Sequence, residues 1–142
     1  MSGKVATATV DIEATPDRVW AALTDPAQIK EFMMGSQVET DWRVGSPITW
    51  KGEFEGRRYE DRGKILEFEP GRKLAMTHFS PLSGAEDKPE NHHRVIYELE
   101  DRLNQTHVTL TQDGNSSDEE AEHSAKNWKM MLDGLKKVVE AG

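Results

Sequence analysis

The alternation of apolar and polar residues along the chain predicts one strand, two short helices, a series of further strands and one long final helix. From Ser117 to Gly142 apolar residues recur every three or four positions, which is typical of an amphipathic helix. Ser117 and Glu120 make the capping-box pattern at its start. The apolar stripe comprises Ala121, Ala125, Trp128, Met131, Leu132, Leu135, Val138 and Val139. This is the longest predicted element, and we expect the rest of the chain to pack against it.

The beginning of the chain predicts a strand followed by two short helices. Residues 5–12 alternate between apolar and polar side chains, as a half-buried strand does. Pro16 and Pro26 each follow a threonine or an aspartate, so each combines a capping side chain with proline at the first helical position. We expect the second helix to run to about Met34 and to end at Gly35.

From residue 37 to residue 112 the pattern changes to a period of two interrupted by turn sequences, which indicates about six antiparallel strands. Turns are expected at Glu55-Gly56, at Pro70-Gly71 and at Asn104-Gln105, with a bulge near Leu66 where the alternation slips. A meander of this kind gives a sheet with one apolar face, and the final helix can cover it. We therefore predict an α+β fold, with a curved antiparallel sheet of about six to seven strands wrapped on the long C-terminal helix.

Length and composition narrow the possibilities further. The 142 residues fit a single domain, residues 1–142, without an internal linker. A net charge of −8 disfavours binding to nucleic acid or to anionic membrane surfaces. The sequence has no cysteine, which excludes thiol chemistry and fits a reducing compartment. No apolar run reaches the length of a membrane span and no signal core follows Met1, so we expect a cytoplasmic protein.

Three segments in order resemble one known family. They are residues 19–26 (VWAALTDP), residues 63–70 (GKILEFEP), and Asn127-Trp128 followed by Met131-Leu132 and Leu135-Lys136. Together they are similar to the family homologous to the C-terminal domain of the activator of the ninety-kilodalton heat-shock-protein ATPase. That family is a branch of the helix-grip superfamily of START proteins and birch-pollen allergens, and the resemblance runs from about Thr7 to Glu140. It implies the helix-grip fold but no single activity, since members include ligand binders, cyclases and chaperone cofactors.

In a helix-grip fold the sheet commonly leaves a cavity against the last helix, so the inward-facing residues are the candidate ligand-binding set. Apolar walls with a few polar groups are the usual composition of a small-molecule pocket, although the same residues also suit an ordinary core. Because the first turns of the helix offer only alanine on their apolar face, we look first for a cavity beside Ala121 and Ala125. By strand and helix phase the candidate residues are Phe32, Met33, Trp50, Met76, His78, His93, Tyr97, Trp128, Met131 and Leu135.

Among the candidate residues, His78 and His93 have the side chains best suited to hydrogen bonding and proton transfer. They occupy facing phases on the two strands that flank a long loop, and we expect them to be cross-strand neighbours. They can form a hydrogen-bonding pair at the cavity rim, act as a general base with Tyr97 nearby, or simply cap strand ends in water. No inward pair has the spacing of metal ligands, so we predict no metal, no cofactor and no catalytic residue.

The long loop, Ser80 to Asn91, has no periodicity and contains two prolines. Loops of this length in compact domains often serve as lids or contact surfaces. A solvated hairpin extension explains the loop equally well.

Three functional classes remain open. We rank first a protein that binds a small apolar or amphipathic ligand between sheet and helix, because the inward set is apolar and contains no catalytic constellation. A chaperone-cofactor-like protein with a protein partner is the second possibility, and a cyclase or aromatase-type enzyme of the same superfamily is the third. A cavity above roughly 300 Å³ would favour the binder or the enzyme.

Overall fold

The computed structural model of the protein describes residues 3–81 and 86–142. Seven strands form one antiparallel sheet in the order β1-β7-β6-β5-β4-β3-β2. The predicted α+β fold, with its curved antiparallel sheet and long final helix, is confirmed. None of the helices in the described ranges is long and apolar enough to span a membrane. In chain order the elements are β1 (Lys4–Ile12), α1 (Pro16–Leu23), α2 (Pro26–Phe32), β2 (Gln37–Glu39), β3 (Pro47–Phe54), β4 (Arg57–Glu69), β5 (Lys73–His78), β6 (His93–Asp101), β7 (Thr106–Asn115) and α3 (Asp118–Ala141).

The three helices begin where the capping residues predicted. The Thr15 hydroxyl accepts a hydrogen bond from the Arg18 amide, and Asp25 caps α2 in the same manner. At the start of α3, the Ser117 hydroxyl accepts from the Glu120 amide at 3.1 Å. The Glu120 carboxylate reaches back to the amide of Ser116 instead of Ser117, so the capping box is displaced by one residue.

Helix α2 ends at Phe32, two residues earlier than the sequence predicted. Met34 and Gly35 both have positive φ, at 55° and 92°, and this left-handed turn leads the chain directly into the edge strand β2. The turn before β7 also comes earlier than predicted, because Leu103 and Asn104 are the residues with positive φ. The bulge expected near Leu66 is present between the paired positions of β4 and β5.

Helix α3 packs along β1, at one edge of the sheet. Its buried residues Met131, Leu132, Leu135 and Val139 belong to the main hydrophobic core. Two lysines of its outer face reach the backbone of β1: Lys129 donates to the carbonyl of Thr9 at 2.7 Å and Lys136 to that of Asp11 at 2.9 Å. The carboxylate of Glu140 accepts from the Glu13 amide at 2.9 Å. These contacts fix the helix along its whole second half.

The loop between β5 and β6 lies partly outside the described residues, which omit residues 82–85. Its described end contains a 3₁₀ turn, Pro89–Asn91. Asp87 accepts a hydrogen bond from His92 at 2.6 Å and pairs with Arg62 of β4 at 3.3 Å. Arg62 belongs to the outward phase of β4, so this end of the long loop packs on the outer face of the sheet.

Candidate functional site

A cavity of about 310 Å³ lies between the inner face of the sheet and helix α2. Strands β2 to β6 line it, and Trp128 is the residue that α3 contributes. A second cavity of about 350 Å³ lies beside it, between α2, α3 and the sheet. The two cavities adjoin because they share the lining residues Phe32, Met33, Met34, His78 and Trp128.

Nine of the ten residues that the sequence selected line one or both cavities. Trp50, Met76 and Tyr97 line the first, His93 and Met131 line the second, and Phe32, Met33, His78 and Trp128 line both. Leu135 does not line either cavity. It is fully buried, at 0% exposure, and packs in the core two turns beyond Trp128.

The cavity along α3 starts later in the helix than predicted. Ser124, Asn127, Trp128 and Met131 line it, and the expected small-residue end around Ala121 does not. The first turns of α3 lie beside the end of β7, where the Ser124 hydroxyl donates a hydrogen bond to Asn115 at 2.9 Å. Ser124 thus joins α3 to the end of β7 and also lines the second cavity, whereas Ala121 and Ala125 do not line it.

Trp128 is a wall common to both cavities, and a hydrogen bond fixes its ring. Its indole N–H donates to Oε1 of Gln112 on β7 at 2.8 Å. The amide of Gln112 in turn donates to the backbone carbonyl of Asp113 at 3.0 Å. Gln112 is 7% exposed, so this polar bridge between helix and sheet is largely shielded from water.

Asp61 and His78 form an ion pair or hydrogen-bonded pair in the wall of the first cavity. Because a carboxylate oxygen only accepts, Nε2–H of His78 donates to Oδ2 of Asp61 at 2.8 Å. The His78 ring also packs against Trp50, with ring centroids 5.1 Å apart and an edge-to-face angle of 62°. The second carboxylate oxygen, Oδ1 of Asp61, is buried and accepts no hydrogen bond from the residues that the structure describes.

His93 is the cross-strand partner of His78, as predicted. Its Nδ1–H donates to the carbonyl of Asp113 at 2.9 Å. Gly114 leaves the space that the ring occupies, since a Cβ there would overlap it. His93 is therefore fixed beside β7, and it lines the second cavity together with its cross-strand partner His78.

Tyr97 and Tyr59 both line the first cavity, and the hydroxyl group of each is hydrogen-bonded within the protein. The Tyr97 hydroxyl donates to the sulfur of Met131 at 3.7 Å, and burial raises the pKa of this phenol well above its usual range. The Tyr97 hydroxyl thus stays protonated near neutral pH and is suited to donate a hydrogen bond, not to act as a base. The Tyr59 hydroxyl is paired with that of Ser36.

Sequence reasoning missed the polar residues Ser36, Glu53, Tyr59, Asp61, Ser80, Gln112, Ser124 and Asn127, which line the two cavities. Asp61 shares the strand phase of Tyr59 and Ile65, and Gln112 shares that of Val108 and Leu110, so their inward orientation could have been read from the alternation. Ser36 had no such signal, because it follows the left-handed turn at the end of α2. Tyr59 was in the inward phase but was not selected. Within residues 3–81 and 86–142, no group of three His, Asp or Glu side chains is arranged to hold a metal ion.

Comparisons with known proteins agree with this architecture. The family model described as "Activator of Hsp90 ATPase homolog 1-like protein" matches residues 13–140. No curated protein matches the chain significantly. A solution structure of a protein from Cytophaga hutchinsonii is 46% identical, covers 99% of this chain and 97% of its own, and superimposes with a TM-score of 0.85.

Two more distant structures share the fold alone. The solution structure of the Aha1 dimer from Colwellia psychrerythraea is 24% identical, covers 96% of each chain and has a TM-score of 0.73. The crystal structure of an HSP90 activator from Plasmodium falciparum is 18% identical, covers 97% of each chain and has a TM-score of 0.73.

Proposed function

The chain belongs to the family of Activator of Hsp90 ATPase homolog 1-like proteins, and on this premise we propose that it binds a small apolar or amphipathic molecule between the sheet and helices α2 and α3. The observation that carries the proposal is the cavity of about 310 Å³. Small-molecule pockets begin at roughly 300 Å³. The adjoining space gives a longer ligand room to extend along α3.

The lining of the cavity supports a mainly apolar ligand. Aliphatic and aromatic side chains from the sheet and from α2 form most of its wall, among them Val38, Ile48, Trp50, Met76 and Phe32. Burying apolar surface against such walls releases about 25 cal/mol for each Å² removed from water. The polar groups are few, which is the arrangement that fixes the orientation of a ligand without excluding its apolar body.

A thermal-shift screen against small apolar and amphipathic molecules tests the proposal. A ligand present at one hundred times its Kd should stabilise the folded protein by about 2.7 kcal/mol. Val38→Phe, which places a larger side chain in the cavity wall, should reduce the shift. Val5→Phe is the matched control, since Val5 is 42% exposed on β1. If no molecule of the screen shifts the unfolding temperature, the proposal is wrong.

A second candidate is a protein that contacts a chaperone of the Hsp90 class. Two findings favour it: the family match over residues 13–140, and the similarity in fold to a protein described as an HSP90 activator. Adding the purified chain to purified Hsp90 from the same source should then raise the ATPase rate. An unchanged rate, together with no complex in sedimentation velocity, would contradict this candidate. A cytoplasmic location belongs to both proposals and is supported by the cysteine-free sequence.

A further inference from the structure

We propose that the ligand of the cavity carries a hydrogen-bond donor, a protonated amine in preference to a hydroxyl, which binds to Oδ1 of Asp61. This inference rests on the proposed function and specifies the chemical class of the ligand. An apolar body would fill the cavity while the donor group contacts the carboxylate.

The first step of the argument is the unsatisfied oxygen. Asp61 lines the first cavity, and its side chain is only 16% exposed. Oδ2 already accepts from His78, whereas Oδ1 is buried and has no partner in the described ranges. Leaving a buried acceptor unpaired is costly, and more so for a charged group. A donor from a ligand would remove that cost, so a bound donor gains more here than at an exposed carboxylate.

The second step is the orientation of the pair. His78 donates through Nε2, which in the neutral imidazole leaves Nδ1 as an acceptor. Contact with the edge of the Trp50 ring holds the imidazole in place. The pair therefore offers acceptors to a ligand, and Asp61 keeps one unpaired carboxylate oxygen in the wall of the cavity.

The third step is the charge of the lining. Two carboxylates, Asp61 and Glu53, line the first cavity, and among the described residues neither lysine nor arginine lines either cavity. A carboxylate or phosphate ligand would meet like charge and no compensating cation. An ammonium group is attracted to the same carboxylates. It also finds the aromatic rings of Trp42, Trp50 and Trp128 in the wall, whose faces attract cations.

Four naphthalene derivatives of similar size test the inference: 2-naphthylmethylamine, 2-naphthylmethanol, 2-methylnaphthalene and 2-naphthoate. Their Kd values are measured by fluorescence titration at pH 7 with the full chain. We expect the amine to bind most tightly, the alcohol next, the hydrocarbon third and the carboxylate most weakly. The amine should bind about tenfold or more tightly than the hydrocarbon, because a hydrogen bond to a charged group strengthens binding by about that factor.

Asp61→Asn is the decisive variant. It keeps the shape of the side chain and removes its charge, so the amine preference should fall to about threefold or less. Glu53→Gln is the matched control, since Glu53 is exposed and lines the same cavity. It should keep most of the preference, which separates direct contact from long-range attraction.

A salt titration of the unmodified chain tests the same point without a substitution. A contact with a buried oxygen is weakly screened, so the amine preference should persist at 0.5 M salt. A preference that disappears with salt would overturn the inference, because it would reflect only the net negative charge of the protein.

The outcomes distinguish the two proposals. Equal binding of all four compounds, or an unchanged amine preference in Asp61→Asn, overturns the inference and leaves the proposed function standing. Tightest binding of 2-naphthoate overturns the inference as well. If none of the four binds, the inference is wrong, and the broader thermal-shift screen then decides whether the proposed function stands.

Discussion

The indole N–H of Trp128 donates a hydrogen bond of 2.8 Å to the side-chain oxygen of Gln112, and this bond joins the middle of α3 to the inner face of β7. The ring is only half-buried, so its position depends on the bond as well as on packing. The Trp128 ring forms one wall of both cavities. The bond therefore links the stability of the protein to the shape of its candidate site.

Replacing Trp128 with phenylalanine should lower the free energy of unfolding by about 1 to 2 kcal/mol, because it leaves the shielded oxygen of Gln112 without a donor. Urea unfolding measures the change. Met130→Ala is the control on the same helix: Met130 is 59% exposed, and its loss should cost less than about 0.5 kcal/mol. Equal effects of the two substitutions would show that the bond contributes nothing.

Removing the imidazole of His78 should destabilise the protein by about 1 to 3 kcal/mol, because both oxygens of Asp61 would then lack a partner. The double variant His78→Ala with Asp61→Ala isolates the pair: starting from Asp61→Ala, removal of His78 should have a much smaller effect. Equilibrium unfolding of the four proteins measures the interaction. Simple additivity would show that the pair is a solvated contact at a strand end, one of the three roles that the sequence allowed.

Substitution of Gly134 by alanine should stabilise the protein by about 0.5 to 1 kcal/mol, because glycine is a poor residue in the interior of a helix. The new Cβ would lie 3.5 Å from the Cβ of Phe32 on α2, an ordinary packing distance. Thermal unfolding measures the gain. Lys137→Ala is the control, because lysine and alanine are both good helix formers and their exchange should change the stability little. A loss of stability would show that α2 and α3 cannot accommodate one more methyl group.

Gly114→Ala should be destabilising for two separable reasons. Gly114 has a φ of 77°, and a Cβ there would overlap the ring of His93. Gly56→Ala provides the matched control, because Gly56 has a φ of 78° with nothing near the added carbon. We expect Gly114→Ala to cost at least about 1 kcal/mol more than Gly56→Ala. Adding His93→Ala should remove that excess, and its persistence would contradict the proposed overlap.

Lowering the pH should weaken the contact between Glu140, near the end of α3, and the backbone of Glu13, which follows β1. The hydrogen bond from the Glu13 amide, and then the bond from Lys136, lower the pKa of Glu140 in the folded protein. A lowered folded pKa stabilises the protein above the unfolded value of about 4.3, and this contribution is lost as the pH falls through the folded pKa. Glu140→Gln should therefore be less stable than the unmodified protein at pH 7, with a difference that shrinks at pH 3.

Urea unfolding at the two pH values measures the effect, with Glu122→Gln, at an exposed position of the same helix, as the control. A difference that stays the same at pH 3 would contradict the role of the carboxylate.

The sequence predicted the order of the elements because each has a strong local signal. The starts of the helices follow from side chains that bond neighbouring amides, and the capping residues Thr15, Asp25 and Ser117 act as expected. The strands follow from alternation, and the slip near Leu66 located the bulge. The end of α2 was missed, since the left-handed turn begins at Met34, whose side chain gives no indication of a positive φ.

The candidate site could be predicted only as far as phase determines direction. Phase placed nine of the ten selected residues around the cavities. It cannot show where along a helix a cavity ends, and Leu135 is fully buried in the core and lines neither cavity. Asp61 lies in the inward phase of β4 but was not among the selected residues. Its burial results from the approach of His78, across a separation of 17 residues that no local pattern encodes.

The two lysines that bind the backbone of β1 have a consequence beyond the packing of α3. β1 is an edge strand, and edge strands offer unpaired carbonyls to strands of other molecules. Lys129 and Lys136 occupy the carbonyls of Thr9 and Asp11, so these two acceptors are not available to a second strand. The opposite edge is β2, which is only three residues long. Both edge strands thus offer few free backbone groups for pairing with a strand of another molecule.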